Sequence, residues 1–512
     1  MDWTSGYVTD LDYTYGYYRE LAPEMLRLMC LNAGVAPPGG EQLHYLELGF
    51  GQGLSINIHA AGNPGVYWGT DFNPQHAAQA GALAAAAGSG AVLLDDSFEE
   101  LSRRGDLPAF DVIALHGIWT WVSANNRRTI VDIIRRHLKV GGLVYLSYNC
   151  FPGWAPAEPL RHLMNLHAEL AGSDVTGTAG KVDGALAFAQ QVAGSGALYF
   201  RANPAVGERL KRIAEQNRNY LAHEYFNRDW DLMAFSEVAQ ELADAKLSFV
   251  ASAHFLDHFD AVNLSQDGQK LLAGIQHPIL RQSVRDYLVN QQFRRDIFVK
   301  GPRRLTPLER HEALMAMSFA LLTPPSDVPM KITGTAGEAV LTESAYRPVL
   351  EALADGAYAP KRLSEIAAHP AVKGLSVGSV VESVLVLAAM AHVAPARVPG
   401  KAARSRTRNL NDRLLARARS QSDIGSLASP VTGGGITANR IEQLTLLAMR
   451  AGQTSAGAQA TFITTLLAGQ GQRITKDGKG LESEQESLAY LTGLIEAFLA
   501  KRLPIFRALE IA

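Results

Sequence analysis

The residues best suited to chemistry stand at alternate positions early in the chain: Glu47, Gly49, Gly51 and Gly53, within Tyr45-Leu46-Glu47-Leu48-Gly49-Phe50-Gly51-Gln52-Gly53. An apolar run ends in an acid, three glycines follow, and a helix-like segment begins at Leu54. This is a buried strand running into a tight turn, where glycine accepts positive φ and lets a ligand approach the backbone. The spacing is G-x-G-x-G, not the G-x-G-x-x-G that aims a helix N-terminus at a pyrophosphate. A second acid, Asp71, closes the run Val66-Tyr67-Trp68-Gly69-Thr70. It falls roughly 20 residues past the glycines, where nucleotide-binding α/β folds place a carboxylate for ribose hydroxyls.

With Glu47 in front, the glycine pattern resembles the first motif of class I methyltransferases that use S-adenosylmethionine. The resemblance implies that the loop packs against the methionine part and the sugar of that cofactor, and that Glu47 receives its positively charged amino group. Phe72 is then placed to stack on adenine. Ala91-Val92-Leu93-Leu94 reads as a third strand with Asp95 and Asp96 at its tip. Asp96 could accept the adenine amino group, with the Ser97 amide on a ring nitrogen. The alternative is that these acids cap a helix starting at Ser97-Phe98-Glu99-Glu100.

Methyl transfer from a sulfonium is an in-line displacement, so a protein chiefly aligns donor and acceptor and keeps water out. An amine acceptor must also be neutral, which asks for desolvation or a nearby proton acceptor. The fourth strand should present acceptor-binding groups, and it ends in His116-Gly117-Ile118-Trp119-Thr120-Trp121. The [Asp/Asn]-Pro-Pro-[aromatic] turn of many amino-group methyltransferases is not there. His116 could touch the cofactor or act as a base, or be a histidine satisfied at a strand end. Trp119 and Trp121 could wall an alkylammonium group or belong to the core. Tyr148, in Tyr148-Asn149-Cys150-Phe151-Pro152-Gly153-Trp154, could help close the site, or the segment could be a structural turn. Tyr7, Tyr13, Tyr15, Tyr17 and Tyr18 could form a lid over the cofactor or cover a sheet edge. No metal site is expected: His254 and His258 lack accompanying acids, and His223-Glu224 is followed by Asn227 where a zinc-protease motif needs histidine.

These residues need a scaffold. Strand and helix patterns alternate as far as about Asn149, which predicts a parallel sheet with helices on both faces. The fourth strand is Phe110–Gly117, a helix covers Asn125–Leu138, and Leu143–Tyr148 is the fifth strand. A helix is also expected over Pro23–Leu31. After Trp154 helical patterns dominate, except for a late strand at Leu247–Ala253. The expected fold class is a Rossmann-like α/β sheet with additional, mainly helical middle and C-terminal domains. The expected divisions are a catalytic domain with an aromatic N-terminal lid (1–170), a middle domain (171–304), a winged-helix-like segment (305–394), a basic linker (395–408) and a C-terminal helical domain (409–512) broken at Gly433-Gly434-Gly435 and at the polar stretch Asp477–Ser483. A length of 512 residues calls for several domains. A formal charge of −2 disfavours general binding to nucleic acid or anionic membranes. Two cysteines, Cys30 and Cys150, point to a reducing compartment without a disulfide framework. The start Met1-Asp2-Trp3-Thr4-Ser5-Gly6 lacks the basic and apolar regions of a signal peptide, and no apolar run is long enough to span a membrane, so a cytoplasmic protein is expected.

A wider resemblance follows from Tyr15-Gly16-Tyr17-Tyr18-Arg19-Glu20-Leu21-Ala22-Pro23, Gly53-Leu54-Ser55-Ile56-Asn57, Gly69-Thr70-Asp71-Phe72-Asn73-Pro74, Asn219-Tyr220-Leu221-Ala222-His223-Glu224-Tyr225-Phe226 and Ala428-Ser429-Pro430-Val431. These segments resemble the bacterial methyltransferases that carry a methyltransferase regulatory domain, among them rickettsial protein lysine methyltransferases. The resemblance implies S-adenosylmethionine as cofactor, a protein substrate methylated on lysine, and several domains shaping one cleft. Two other readings stay open: methylation of a metabolite or sugar precursor, and a non-catalytic protein that senses S-adenosylmethionine.

Overall fold

Five apolar runs, each ended by a turn, become the parallel strands of one sheet in the computed structural model, which describes residues 7, 13–40, 42–173, 177–476, 479–481 and 483–512. After helix α1 (Pro23–Asn32) these are β1 (Leu43–Leu48), β2 (Gly65–Thr70), β3 (Val92–Leu94), β4 (Phe110–Leu115) and β5 (Leu138–Asn149). They are joined by α2 (Leu54–Gly62), α3 (Pro74–Ala87), α4 (Phe98–Arg103) and α5 (Ala124–His137). Met1 to Gly6 lie outside the described residues, as does part of the Asp477–Ser483 stretch.

The sheet has seven strands, in the order β3-β2-β1-β4-β5-β7-β6. The late strand is β6 (Leu247–Ser252), and β7 (Phe293–Lys300) runs antiparallel between it and β5. The sheet therefore draws two strands from residues 171–304, which were expected to form a separate middle domain. Only the helices α6 (Glu158–Leu170), α7 (Gly177–Gly194), α8 (Leu198–Ala202), α9 (Pro204–Ala214) and α10 (Arg218–Tyr225) stand apart, as an insertion between β5 and β6. Leu160, Met164, Val182, Leu186 and Leu210 give the insertion its own apolar core.

Side chains alternate across a strand, and here both faces are buried. Tyr45, Val112, Ala114 and Tyr145 join Leu28 and Met29 of α1 on one face. Leu46, Ile113, Val144 and Leu146 meet Ile130 and Ile133 of α5 on the other. The first face continues without a break into the segment 305–394, whose Phe319, Leu350 and Leu387 belong to the same cluster. That segment holds a small three-stranded sheet, built from Ser318–Leu321, Lys361–Arg362 and Val393–Ala396, among helices.

Residues 395–408 are not a linker. Gly400 caps a helix over Lys401–Ala418 whose buried stripe is Ala403, Thr407, Leu410, Asn411 and Leu414. Leu410, Leu414 and Leu415 pack on Leu54 and Ile58 of α2 and Leu83 of α3. Arg406 donates to the carbonyls of Ala61 (3.2 Å) and Asn63 (2.8 Å), and Asn63 Nδ2 donates to the Gly433 carbonyl at 2.6 Å. The C-terminal region is thus fastened to the helix that leaves the glycine loop.

No helix among the described residues is long and apolar enough to cross a membrane. Cys30 and Cys150 are both free and buried.

The antiparallel seam of the sheet holds a buried charge network. Arg294 Nε lies 2.8 Å from Asp296 Oδ2 and Nη2 lies 3.0 Å from Oδ1. Arg294 also pairs with Asp286 of the helix Pro278–Val289, and Tyr148 donates to Asp296 Oδ2 at 2.8 Å. Removing the one cation strands two carboxylates in the core, a loss of about 3–5 kcal/mol. Arg294→Met should therefore lower the thermal unfolding midpoint sharply; a variant that unfolds with the wild type would show the network to be dispensable.

Candidate active site

The first four strands end at one rim because of their register: Leu48 pairs with Thr70, Thr70 with Leu94, and Glu47 with Ala114. The connecting loops converge there. Gly49, Gly51 and Gly53 have φ of +72°, +57° and +71°, the left-handed region that glycine enters freely. Space forbids other residues as well. A Cβ on Gly49 would sit 2.2 Å from Ile118 Cδ1, and one on Gly53 2.4 Å from the Cβ of Ala80 on α3.

Asp71 organises this rim. It is buried, its Oδ2 accepts the Gly51 N–H at 2.8 Å, and its Oδ1 accepts the Asn73 N–H at 3.1 Å and lies 3.1 Å from His76 Nδ1. Its own N–H donates to the Leu94 carbonyl at 3.1 Å, which ties in the third strand. Phe72, half-buried, meets Tyr7 edge to face at 5.6 Å between ring centroids. Asp96 is held beside Asp71 by the Thr70 hydroxyl, which donates to its carbonyl, and Arg104 Nη1 lies 3.1 Å from its carboxylate.

Ser97 does not offer the free amide expected of it. Its N–H donates to Glu100 Oε2 at 2.9 Å and its hydroxyl accepts the Glu100 N–H at 3.3 Å. This is the capping box of α4. A helix does start here, but its cap is Ser97 itself and neither Asp95 nor Asp96.

Glu47 is 4 % exposed, and its Oε2 finds no hydrogen-bond partner among the described residues. Burial pushes its pKa up to about 8. A lone buried carboxyl oxygen beside a glycine loop fits a cationic group of a ligand, since a partner is what it lacks.

At the end of β4, His116 Nδ1 lies 2.8 Å from the Tyr145 hydroxyl and 3.3 Å from Ser147 Oγ, and its ring lies against Tyr18 at 3.7 Å. Burial, then the nearby Arg295, pull its pKa down to about 3. A neutral, weakly basic imidazole suits packing and hydrogen bonding, not proton abstraction at neutral pH. Trp119 is fully buried in the core beneath the sheet, and Trp121 is buried too, so Trp119 walls no cleft. Tyr148 points to the same inner face and is bound to Asp296. The period of two explains it: Tyr145, Ser147 and Asn149 take the face that meets His116, and Tyr148 takes the other. His254 and His258 serve structure, with His254 Nδ1 2.9 Å from Arg295 and His258 Nε2 2.7 Å from the Ser252 carbonyl.

The tyrosine-rich start lies over the rim. Tyr18 N–H donates to Ser55 Oγ at 3.1 Å, and Gln52 Nε2 donates to the Tyr13 carbonyl at 3.1 Å. Tyr7 and Tyr13 pack on His223 of α10, with ring centroids 5.5 Å and 5.1 Å apart. Next to His223 on α10, Glu224 has its pKa pushed up to about 7 by desolvation. Sequence reasoning assigned no role to Tyr145, Ser147 or Glu224. The only pointer to Glu224 was that Asn219–Phe226 is one of the family-like segments.

A family model described as a methyltransferase domain matches residues 46–146, and one described as a predicted methyltransferase regulatory domain matches residues 217–300. The second match takes in α10, β6 and β7. Uncharacterized protein sll1526 of Synechocystis sp. is 41 % identical over 517 residues, covering 100 % of both chains. Uncharacterized protein RP789 of Rickettsia prowazekii is 24 % identical over 285 residues, 53 % of this chain and 48 % of its own. Among solved structures, PKMT2 from Rickettsia typhi in complex with AdoHcy superposes with a TM-score of 0.70 at 18 % identity, covering 97 % of this chain and 99 % of that one. The chain belongs to the class I S-adenosylmethionine-dependent methyltransferases that carry a methyltransferase regulatory domain.

The state of Glu47 sets a pH dependence. Its folded pKa of about 8 lies above the ordinary 4.5, so the folded state favours the protonated form. Its contribution to stability is full below about pH 4.5 and is lost as pH rises through about 8. Glu47→Gln should remove that slope: between pH 6 and about 8 the unliganded wild type loses thermal stability relative to the variant, as followed by circular dichroism. Parallel curves for the two proteins would contradict the buried, unpaired carboxyl.

Proposed function

We propose that the protein methylates lysine side chains of protein substrates, with S-adenosylmethionine held at the rim by Glu47 (amino group), the loop Gly49–Gly53 (methionine part and sugar), Asp71 (ribose hydroxyls), Phe72 and Asp96 (adenine), and His116 beside the reacting end. The donor supplies an electrophilic methyl group on a sulfonium. The protein aligns it with the acceptor and excludes water. Asp71 has lone pairs to spare for a hydroxyl, since a carboxylate offers about four acceptor positions and three polar contacts are in place.

The observation that carries the protein-substrate reading is who builds the site. The N-terminal segment, the insertion and the C-terminal region all reach the glycine loop. A groove of about 700 Å³ between them is lined by Tyr13, Gln52 of the loop, Gln79 of α3, Asn217 before α10 and Arg417 of the helix Lys401–Ala418. A metabolite enzyme needs no such surface. The metabolite reading also relied on Trp119, Trp121 and Tyr148 lining a closed pocket, and Trp119 and Tyr148 lie in the core. The structural likeness to PKMT2 along nearly the whole chain agrees with a multidomain enzyme of this kind.

Incubation with radiolabelled S-adenosylmethionine and fractionated bacterial lysate should place label on protein, retained as methyl-lysine after acid hydrolysis. Label confined to small molecules would overturn the proposal. By calorimetry, Asp71→Ala should bind S-adenosylmethionine at least roughly tenfold more weakly, because a charged hydrogen-bond partner is worth about 1.5–3 kcal/mol.

A further inference from the structure

The Asp71 carboxylate is fixed by more than the glycine loop. Asn73 caps α3, its side chain accepting the Gln75 N–H at 3.0 Å, and Pro74 opens the helix. This start sets His76 in the first turn, where its ring turns back and Nδ1 reaches Asp71 Oδ1 at 3.1 Å. Both residues are buried. α3 is itself held in place: Asn57 Nδ2 of α2 donates to the Gly53 carbonyl at 2.8 Å and to the Ala80 carbonyl at 3.0 Å, which ties the loop, α2 and α3 together. Carboxylate oxygens only accept, so the ring presents Nδ1–H to Asp71. Its Nε2 is buried and finds no partner among the described residues, so what the ring contributes is the bond to Asp71.

The contacts of Asp71 are unevenly shared between its oxygens. Oδ1 takes two donors, the Asn73 N–H at 3.1 Å and His76 Nδ1–H, while Oδ2 takes one, the Gly51 N–H at 2.8 Å. Each carboxylate oxygen offers about two acceptor positions, so Oδ1 is filled and Oδ2 keeps one open. We propose that Asp71 binds the ribose of the donor through Oδ2 alone and by a single hydroxyl, and that His76 is the positioning residue that imposes this by occupying Oδ1. The inference rests on the assignment of Asp71 to the ribose and deepens it, from a carboxylate that takes hydroxyls to one that tells the two apart. With His76 in place, one hydroxyl makes a charge-assisted bond and its neighbour finds no acceptor on this residue. Without the His76 N–H, Oδ1 regains an open position and the carboxylate loses one of the anchors that set its rotation. It can then take a hydroxyl on each oxygen.

The test is calorimetric binding of S-adenosylhomocysteine and of its 2′-deoxy and 3′-deoxy analogues to the full chain. In the wild type, one deoxy analogue should bind at least roughly tenfold more weakly than the parent, the loss expected for one bond to a charged acceptor, and the other within about threefold of it. Asp71→Ala should bind all three within about threefold of one another, because the acceptor that separates them is gone. His76→Phe keeps a ring and removes the donor, and should bring the two analogues to within about threefold of each other. His76→Asn carries Nδ2 where the imidazole has Nδ1 and should keep the wild-type contrast. A residue that only filled space would give the opposite order, with Phe preserving the contrast and Asn losing it. Comparable losses for both analogues in the wild type, or a contrast that survives in His76→Phe, overturn the inference while Asp71 keeps its place at the ribose. No loss with either analogue, or losses unchanged in Asp71→Ala, remove Asp71 from the ribose and the inference with it. If a variant does not fold, the wild-type comparison, which needs no substitution, still decides whether one hydroxyl or two are held.

Discussion

The rim is held in shape by one carboxylate. Asp71 accepts the N–H of Gly51 from the first loop and of Asn73 from the second, and hands its own N–H to the third strand. Within the turn the Gly53 N–H donates to the Phe50 carbonyl at 3.0 Å, whereas the Gly51 N–H takes its acceptor from outside the turn, and a buried amide left unpaired is costly. The acid supplies the partner, so the glycine loop cannot relax without exposing a charge in the core. An acid at this strand end therefore does two things at once. It fixes the curvature of the loop, and under the proposed function it also offers an acceptor to a ligand hydroxyl. Neither Gly51 nor Asp71 can be altered without disturbing the other.

The sheet is closed by strands that come late. β6 and β7 follow the helical insertion, yet β7 pairs with β5 over Phe293–Val299 and carries the arginine that pairs with both Asp286 and Asp296. The insertion is thus tethered at both ends to the sheet, and α10 lies against the rim as a consequence. The Lys401–Ala418 helix clamps α2 and α3 from the opposite side, with Arg406 on the carbonyls at the end of α2. Motions of the outer regions must pass through these contacts before they reach the glycine loop, so the surroundings of the site are coupled to it by packing on two sides.

Much of this was legible in the sequence, and the limits have physical causes. The five parallel strands announce themselves as apolar runs, the first three ended directly by glycine or an acid, and the glycine spacing separates this loop from a dinucleotide fold. β6 was visible as an apolar run, but its place in the sheet depends on pairing across an insertion of nearly a hundred residues, which no local pattern encodes. The Lys401–Ala418 helix was read as a linker because its buried stripe uses Ala403, Thr407 and Asn411, residues too small or polar to show an apolar period. Trp119 and Tyr148 looked like site residues because large aromatics near a strand end suit a wall as well as a core; only the alternation of faces decides. Ser97 was offered to adenine, yet Glu100 three residues on is the signature of a capping box and could have settled the matter.

Glu47 poses an electrostatic question of its own. Desolvation pushes its pKa up to about 8, and its Oε2 has no hydrogen-bond partner among the described residues. A permanently ionised acid in so dry a place would weaken the fold. A shifted acid avoids this by holding its proton while no cation is near, and it ionises when one arrives to pair with it. S-adenosylmethionine carries such a cation in its ammonium group, so under the proposed placement the charge on Glu47 would appear only with the ligand, and the empty rim would not have to hold it.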